Sequence, residues 1–117
     1  MTNPCVLIAG PNLTTDLILM KQLGEDVTLL KTHDYSKVFS MLKEWSVDLL
    51  LLEVRDSKTT DISLVSKVKK TSPDLPIIVI NGDDIAGAFA QGATDAFPKP
   101  YDRELLVERV LALLKQR

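Results

Sequence analysis

The residues with chemical potential stand where apolar runs end. Glu53 closes Leu49–Leu52, Lys99 and Pro100 follow Ala96-Phe97, Asn81 and Gly82 follow Ile77–Ile80, and Gly10-Pro11-Asn12 follow Val6–Ala9. A carboxylate, an ammonium and an amide brought to one edge could hold a small ligand or neutralise one another. Other chemistry is harder to assemble. No convincing nucleophile and base pair is present, which weighs against a hydrolase, and no glycine-rich phosphate loop is present, which weighs against a nucleotide. Cys5 is the only cysteine, so neither an intramolecular disulfide nor a cysteine metal cluster can form. It starts the apolar run Cys5–Ala9 and reads as a small core residue. His33 stands alone before Asp34 and reads as a solvated loop residue. Asp56 reads as a loop acid, and Asp83-Asp84 as a helix cap.

These residues need elements to position them. The runs Val6–Ala9, Val27–Leu30, Leu49–Leu52 and Ile77–Ile80, with the weaker Ala96-Phe97, lack polar alternation, as expected of strands buried on both faces. Helical patterns lie between them. Leu13–Leu23 is closed by Gly24, in the position after a helix end. Asp34–Trp45 starts on an N-cap and places Val38, Met41, Leu42 and Trp45 on one face. Asp61–Lys70 turns Ile62, Leu64, Val65 and Val68 inward, and Pro73 and Pro76 punctuate the approach to strand four. Asp84–Gln91 is short and ends at Gly92. Arg103–Lys115 is capped by Asp102 and turns Leu106, Val107, Val110, Leu113 and Leu114 inward.

Five strand–helix units in series predict an α/β fold: a single doubly wound, five-stranded parallel sheet in the flavodoxin-like order 2-1-3-4-5, with helices on both faces. Pro98 agrees with this order, because strand five is then an edge and an edge tolerates proline. Ligands of such sheets bind at the carboxyl ends of the strands, where the residues named above fall.

The chain has 117 residues, 45% apolar and 26% charged, with a net charge of −2. This suits one globular domain over residues 1–117. No basic excess points to nucleic acid, and Lys67, Lys69 and Lys70 read as a solvated helix face. No apolar run is long enough to span a bilayer, and the start Met1-Thr2-Asn3-Pro4 lacks a signal-peptide pattern. A soluble, cytoplasmic protein with no membrane contact is expected.

Several segments in order and spacing resemble the receiver domain of bacterial two-component response regulators. They are Asp48-Leu49-Leu50-Leu51-Leu52, Pro76-Ile77-Ile78-Val79-Ile80, Gly92-Ala93-Thr94-Asp95 and Lys99-Pro100, and the likeness runs along essentially the whole chain. The resemblance implies a phosphoacceptor crevice, and this chain departs from it. The family's two metal-holding carboxylates fall at Gly10 and Pro11, its phosphoryl-accepting Asp at Glu53, its Thr or Ser at Asn81 and its switch aromatic at Ala96. The lysine remains as Lys99, and the family's cis peptide would be Lys99-Pro100, as suits an X-Pro bond at a tight turn.

Mg²⁺ requires near-octahedral oxygen ligation, which Gly10 and Pro11 supply only from the backbone. Without the metal, charge on a transferring phosphoryl group is poorly neutralised, and the extra methylene of Glu53 misplaces an attacking oxygen. Glu53 is expected to pair with Lys99 across the crevice, the alternative being a solvent-facing side chain. Such a pair adds little net stability once desolvation is counted.

The reading is therefore a degenerate pseudo-receiver, not an enzyme, with no metal and no cofactor. It acts as a phosphorylation-independent interaction module in signal transduction. Its partner would be another signalling protein or a fused effector domain, or a second copy of the chain. The resemblance places such contacts on the face of helix four, strand five and helix five. There Phe89, Gln91, Tyr101, Arg103, Glu104 and Glu108 are the candidates, although Phe89 could equally pack into the core. Two other readings stay open: a small ligand- or anion-binding regulatory domain, and a receiver still phosphorylated through unusual residues. Incubation with acetyl phosphate and Mg²⁺ is expected to leave the intact mass unchanged; a stable phosphoryl adduct at Glu53 or Asp56 would contradict the pseudo-receiver reading.

Overall fold

Aliphatic runs without polar alternation can be buried only if both faces of their sheet are covered, and the tertiary structure meets that demand. A computed structural model describes residues 3–10, 21–54, 59–80, 82, 84–98 and 101–115. Its strands are β1 (Cys5–Ala9), β2 (Thr28–Thr32), β3 (Leu49–Glu53), β4 (Ile77–Ile80) and β5 (Asp95–Phe97). They form one five-stranded sheet in the order β2-β1-β3-β4-β5, and every neighbouring pair is parallel. This is the expected order. β2 begins and ends later than Val27–Leu30, because pairing with β1 runs on to Ala9 against Thr32.

The helices are α1 (Val38–Glu44), α2 (Thr59–Thr71), α3 (Ile85–Gln91) and α4 (Arg103–Lys115). Residues 21–23 are also helical, and a 3-10 turn over Gly24–Asp26 follows, with Gly24 at φ 72°. The rest of the expected first helix lies outside the described residues.

Alternate residues of each central strand feed opposite cores. Leu7, Leu50, Leu52, Ile77 and Val79 pack against Val38 of α1, Ile62, Val65 and Val68 of α2 and Ala88 of α3. Val6, Ile8, Leu49, Leu51, Ile78 and Ile80 pack against Leu106, Val110 and Leu113 of α4, joined by Leu23. Helices therefore cover both faces. Leu49–Leu52 are wholly buried, and burial of each such side chain is worth about 1.5–3 kcal/mol.

Local signals set the ends of the elements. The carboxylate of Asp34 accepts from Ser36 N at 2.9 Å and Ser36 Oγ at 2.6 Å, and caps a 3-10 turn over Tyr35–Lys37 that leads into α1. Those Ser36 bonds hold its pKa below the usual carboxylate value. Asp84 caps α3 through Gly87 N at 2.8 Å. Asp102 caps α4 through Glu104 N at 2.9 Å.

Trp45 departs from the expected inward face: it is 49% exposed. The reason is its backbone, which is already extended at φ −124°, ψ 148° after α1 ends at Glu44. Its side chain no longer follows the helical stripe.

The start of the sheet is tied across strands. Asp48 Oδ2 accepts from Cys5 N at 2.8 Å, and Asp48 N donates to Cys5 O at 2.8 Å. Burial, and secondarily the Asp48 charge, push the Cys5 thiol above its ordinary pKa, as suits a buried core residue. The α3–β5 turn depends on Gly92 at φ 111°, where an added Cβ would lie 3.3 Å from Lys69 Cγ. Gly92→Ala is expected to destabilise the domain by about 1–2 kcal/mol, read as a lower urea midpoint with an unchanged slope.

Candidate functional site

A parallel sheet presents its strand ends, with their loops, along one edge. β1 runs out into Gly10, β3 into Glu53 and Val54, and β4 toward Gly82. Gly10 N still donates to Thr32 O at 3.0 Å, so the bonding of β1 to β2 extends one residue past β1. Val54 N donates to Ile80 O at 3.1 Å and likewise extends β3 beside β4.

The end of β3 is enclosed from several sides. Glu53 is only 2% exposed, so its side chain does not face solvent. An ideal Cβ on Gly10 would lie 2.4 Å from Glu53 Cβ, 3.0 Å from Glu53 O and 3.1 Å from Glu53 Oε1. On the other side, a Cβ on Gly82 would lie 3.0 Å from Val54 Cγ2. The Tyr35 hydroxyl, from the turn after β2, donates to the Glu53 carbonyl. Two glycines and a tyrosine thus close around the last residues of β3. Nothing in the sequence marked Tyr35: its role depends on the turn that Asp34 caps, which aims the ring across the strand ends.

Pro11, Asn81, Lys99, the Lys99-Pro100 peptide bond, Asp56 and Asp83 lie outside the described residues. Ala96 is partly buried against the first core and carries no polar group. Among the described residues, no group of three or more His, Cys, Asp or Glu side chains could hold a metal ion. Gly10 offers no carboxylate, and a side chain there would meet the body of Glu53. The described part of the crevice does not fit an octahedral Mg²⁺ site.

The expected surface residues differ in exposure and surroundings. Phe89 on α3 is 47% exposed, so it does not pack into the core. Tyr101 packs against the α4-side core. Arg103 and Glu104 border a groove with Lys21, Gln22 and Asp102, beside the residue 21–23 segment. Gln91 is partly buried and Glu108 exposed. Sequence reasoning missed Ile85, 39% exposed, and Leu105, 54% exposed. Leu105 is one turn before Arg109, whose Nε reaches Asp95 Oδ2 on β5 at 2.9 Å. The Leu105 side of α4 therefore faces the β5 edge. Its signal was available, since Leu105 falls outside the Leu106, Val110 and Leu113 stripe.

An open parallel α/β sheet in the order β2-β1-β3-β4-β5 defines the class, and comparisons narrow it. The chain is 32% identical over 94 residues to the response regulator MprA of Mycobacterium ulcerans, covering 76% of this chain and 40% of that protein. It is 29% identical over 96 residues to the DNA-binding transcriptional regulator NtrC of Salmonella typhimurium, covering 76% of this chain and 20% of that protein. The chain thus spans well under half the length of these relatives. No family model matches it. A response regulator from Thermotoga maritima superposes with a TM-score of 0.84 at 20% identity, over 97% of this chain and 98% of that one. HP1043, an orphan response regulator of H. pylori, superposes with a TM-score of 0.81 at 24% identity, over 95% and 96% of the two chains. Fold and sequence likeness together are those of a response-regulator receiver domain.

Tyr35→Phe removes the hydroxyl bonded to the Glu53 carbonyl and is expected to lower stability by about 0.5–1.5 kcal/mol in urea unfolding.

Proposed function

We propose that this chain is a pseudo-receiver: it signals by binding a protein partner without taking up phosphate and catalyses no reaction itself. The observation that carries this reading is the state of β3's last residue. The position that would accept a phosphoryl group is a glutamate, 2% exposed, with its body against Gly10. An attacking carboxylate must reach an incoming phosphoryl group in line, and a sealed one has no such approach. The neighbouring positions supply neither a metal-binding carboxylate at Gly10 nor an aromatic at Ala96 to relay a change.

Binding has a better surface. Ile85 and Phe89 are one turn apart on α3, and Leu105 lies on the β5-facing side of α4. All three are exposed large apolar residues. Aromatic and aliphatic side chains of this kind anchor protein interfaces. β5 itself is three residues long and followed by Pro98, so it is a poor template for adding a strand. Side chains beside it are the better contacts.

The relatives suggest the partner class. NtrC is named a DNA-binding transcriptional regulator and MprA a response regulator, and both are longer than this chain. A fused effector domain or a separate signalling protein fits that pattern. With a net charge of −2, the chain itself is not suited to nucleic acid.

The test is a quantitative pull-down or two-hybrid assay of folded variants. Phe89→Ser and Leu105→Ser are expected to weaken partner binding at least about tenfold, as for interface anchors. Glu53→Gln and added acetyl phosphate are expected to leave it unchanged. Loss of binding in Glu53→Gln, with both surface variants unaffected, would place the working site in the crevice. A doubled mass in solution, abolished by Phe89→Ser, would identify the partner as a second copy.

A further inference from the structure

We infer that the phosphoacceptor crevice is closed by the packing of two strand ends against each other, so that restoring the missing acids would not restore a metal site. The contact that carries this is between Gly10 and Glu53. The nearest neighbour of a Cβ on Gly10 is Glu53 Cβ at 2.4 Å, and the second is Glu53 O at 3.0 Å. A separation under 3.0 Å, as to Glu53 Cβ, requires movement of one partner, and neither atom is the far end of a flexible side chain. Shortening Glu53 to Asp leaves both in place.

Both strand ends are also held from outside. Gly10 is bonded to Thr32 O, and Val54 N to Ile80 O. The Glu53 carbonyl accepts from Tyr35, while Val54 abuts Gly82. β1 and β3 run side by side up to Ala9 and Leu52, so the close approach of Gly10 to Glu53 continues that pairing at the crevice rim. A carboxylate at position 10 would have to displace the end of β3 or leave the crevice. The defect is one of backbone approach as well as residue type. This inference concerns how the crevice is closed and does not depend on where a partner binds.

Two measurements test it. The first is a double-mutant cycle in urea. Gly10→Ala is expected to lower the midpoint by about 1 M, the range for overpacking a tight site. In a Glu53→Gly background, which removes the Cβ it strikes, the same change is expected to cost about half as much. Equal costs in the two backgrounds would overturn the inference. The second measurement is a Mg²⁺ titration of Gly10→Asp/Pro11→Asp/Glu53→Asp, followed by amide NMR. The folded variant is expected to show no saturable response at millimolar Mg²⁺. Saturable binding there would overturn the inference, and if that variant does not fold, the cycle alone decides. Phosphorylation of the wild-type chain would instead count against the pseudo-receiver function and would leave the cycle's result intact.

Discussion

Everything in this domain is arranged around a strand that water cannot reach. β3 pairs with β1 on one side and β4 on the other, and its four leucines are wholly buried. A strand so placed needs apolar cover on both faces. Leu50 and Leu52 meet α1, α2 and α3, while Leu49 and Leu51 meet α4. The parallel direction of the neighbours requires helical crossovers, and α1, α2 and α3 among them cover one face, while α4, after the last strand, covers the other. Sheet order, helix placement and the division into two cores follow from burying β3.

The same constraint shapes the crevice. β3 delivers its last residue to the carboxyl edge, where a polar residue is usable if loops leave it space. Here the space is taken. Gly10 lets β1's continuation approach Glu53 within a distance no side chain could share, and Gly82 allows similar closeness at Val54. Tyr35 completes the enclosure with a bond to the Glu53 carbonyl. The carboxylate is therefore a packed component of the edge. Receiver chemistry needs an open, metal-lined pocket at this place, and the proposed pseudo-receiver would keep the fold without it.

In the proposed pseudo-receiver, recognition falls to the surface around β5. α3 and α4 lie on opposite faces of the sheet, and both turn apolar side chains outward near that edge. The Asp95–Arg109 ion pair holds α4 against β5 at 2.9 Å and sets where Leu105 points. The pair is partly exposed, so its contribution is more to orientation than to stability.

The amino-acid sequence by itself determined the sheet order, the two-sided core and the ends of α3 and α4. These rest on local, periodic signals: unbroken aliphatic runs, caps at Asp84 and Asp102, and glycine after a helix at Gly92. It also identified Gly10 and Glu53 as departures at the crevice, from residue type alone. Their contact was not legible, because residues 43 positions apart meet only once β1 and β3 are in register. Trp45 was misplaced for a similar reason, since periodicity carries no notice that α1 stops one residue earlier. The exposure of Phe89, the outward turn of Leu105 and the reach of Tyr35 depend on how whole helices and turns sit against the sheet. Sequence spacing reports which residues share a face. Only tertiary packing decides which faces are covered and which atoms are pressed together.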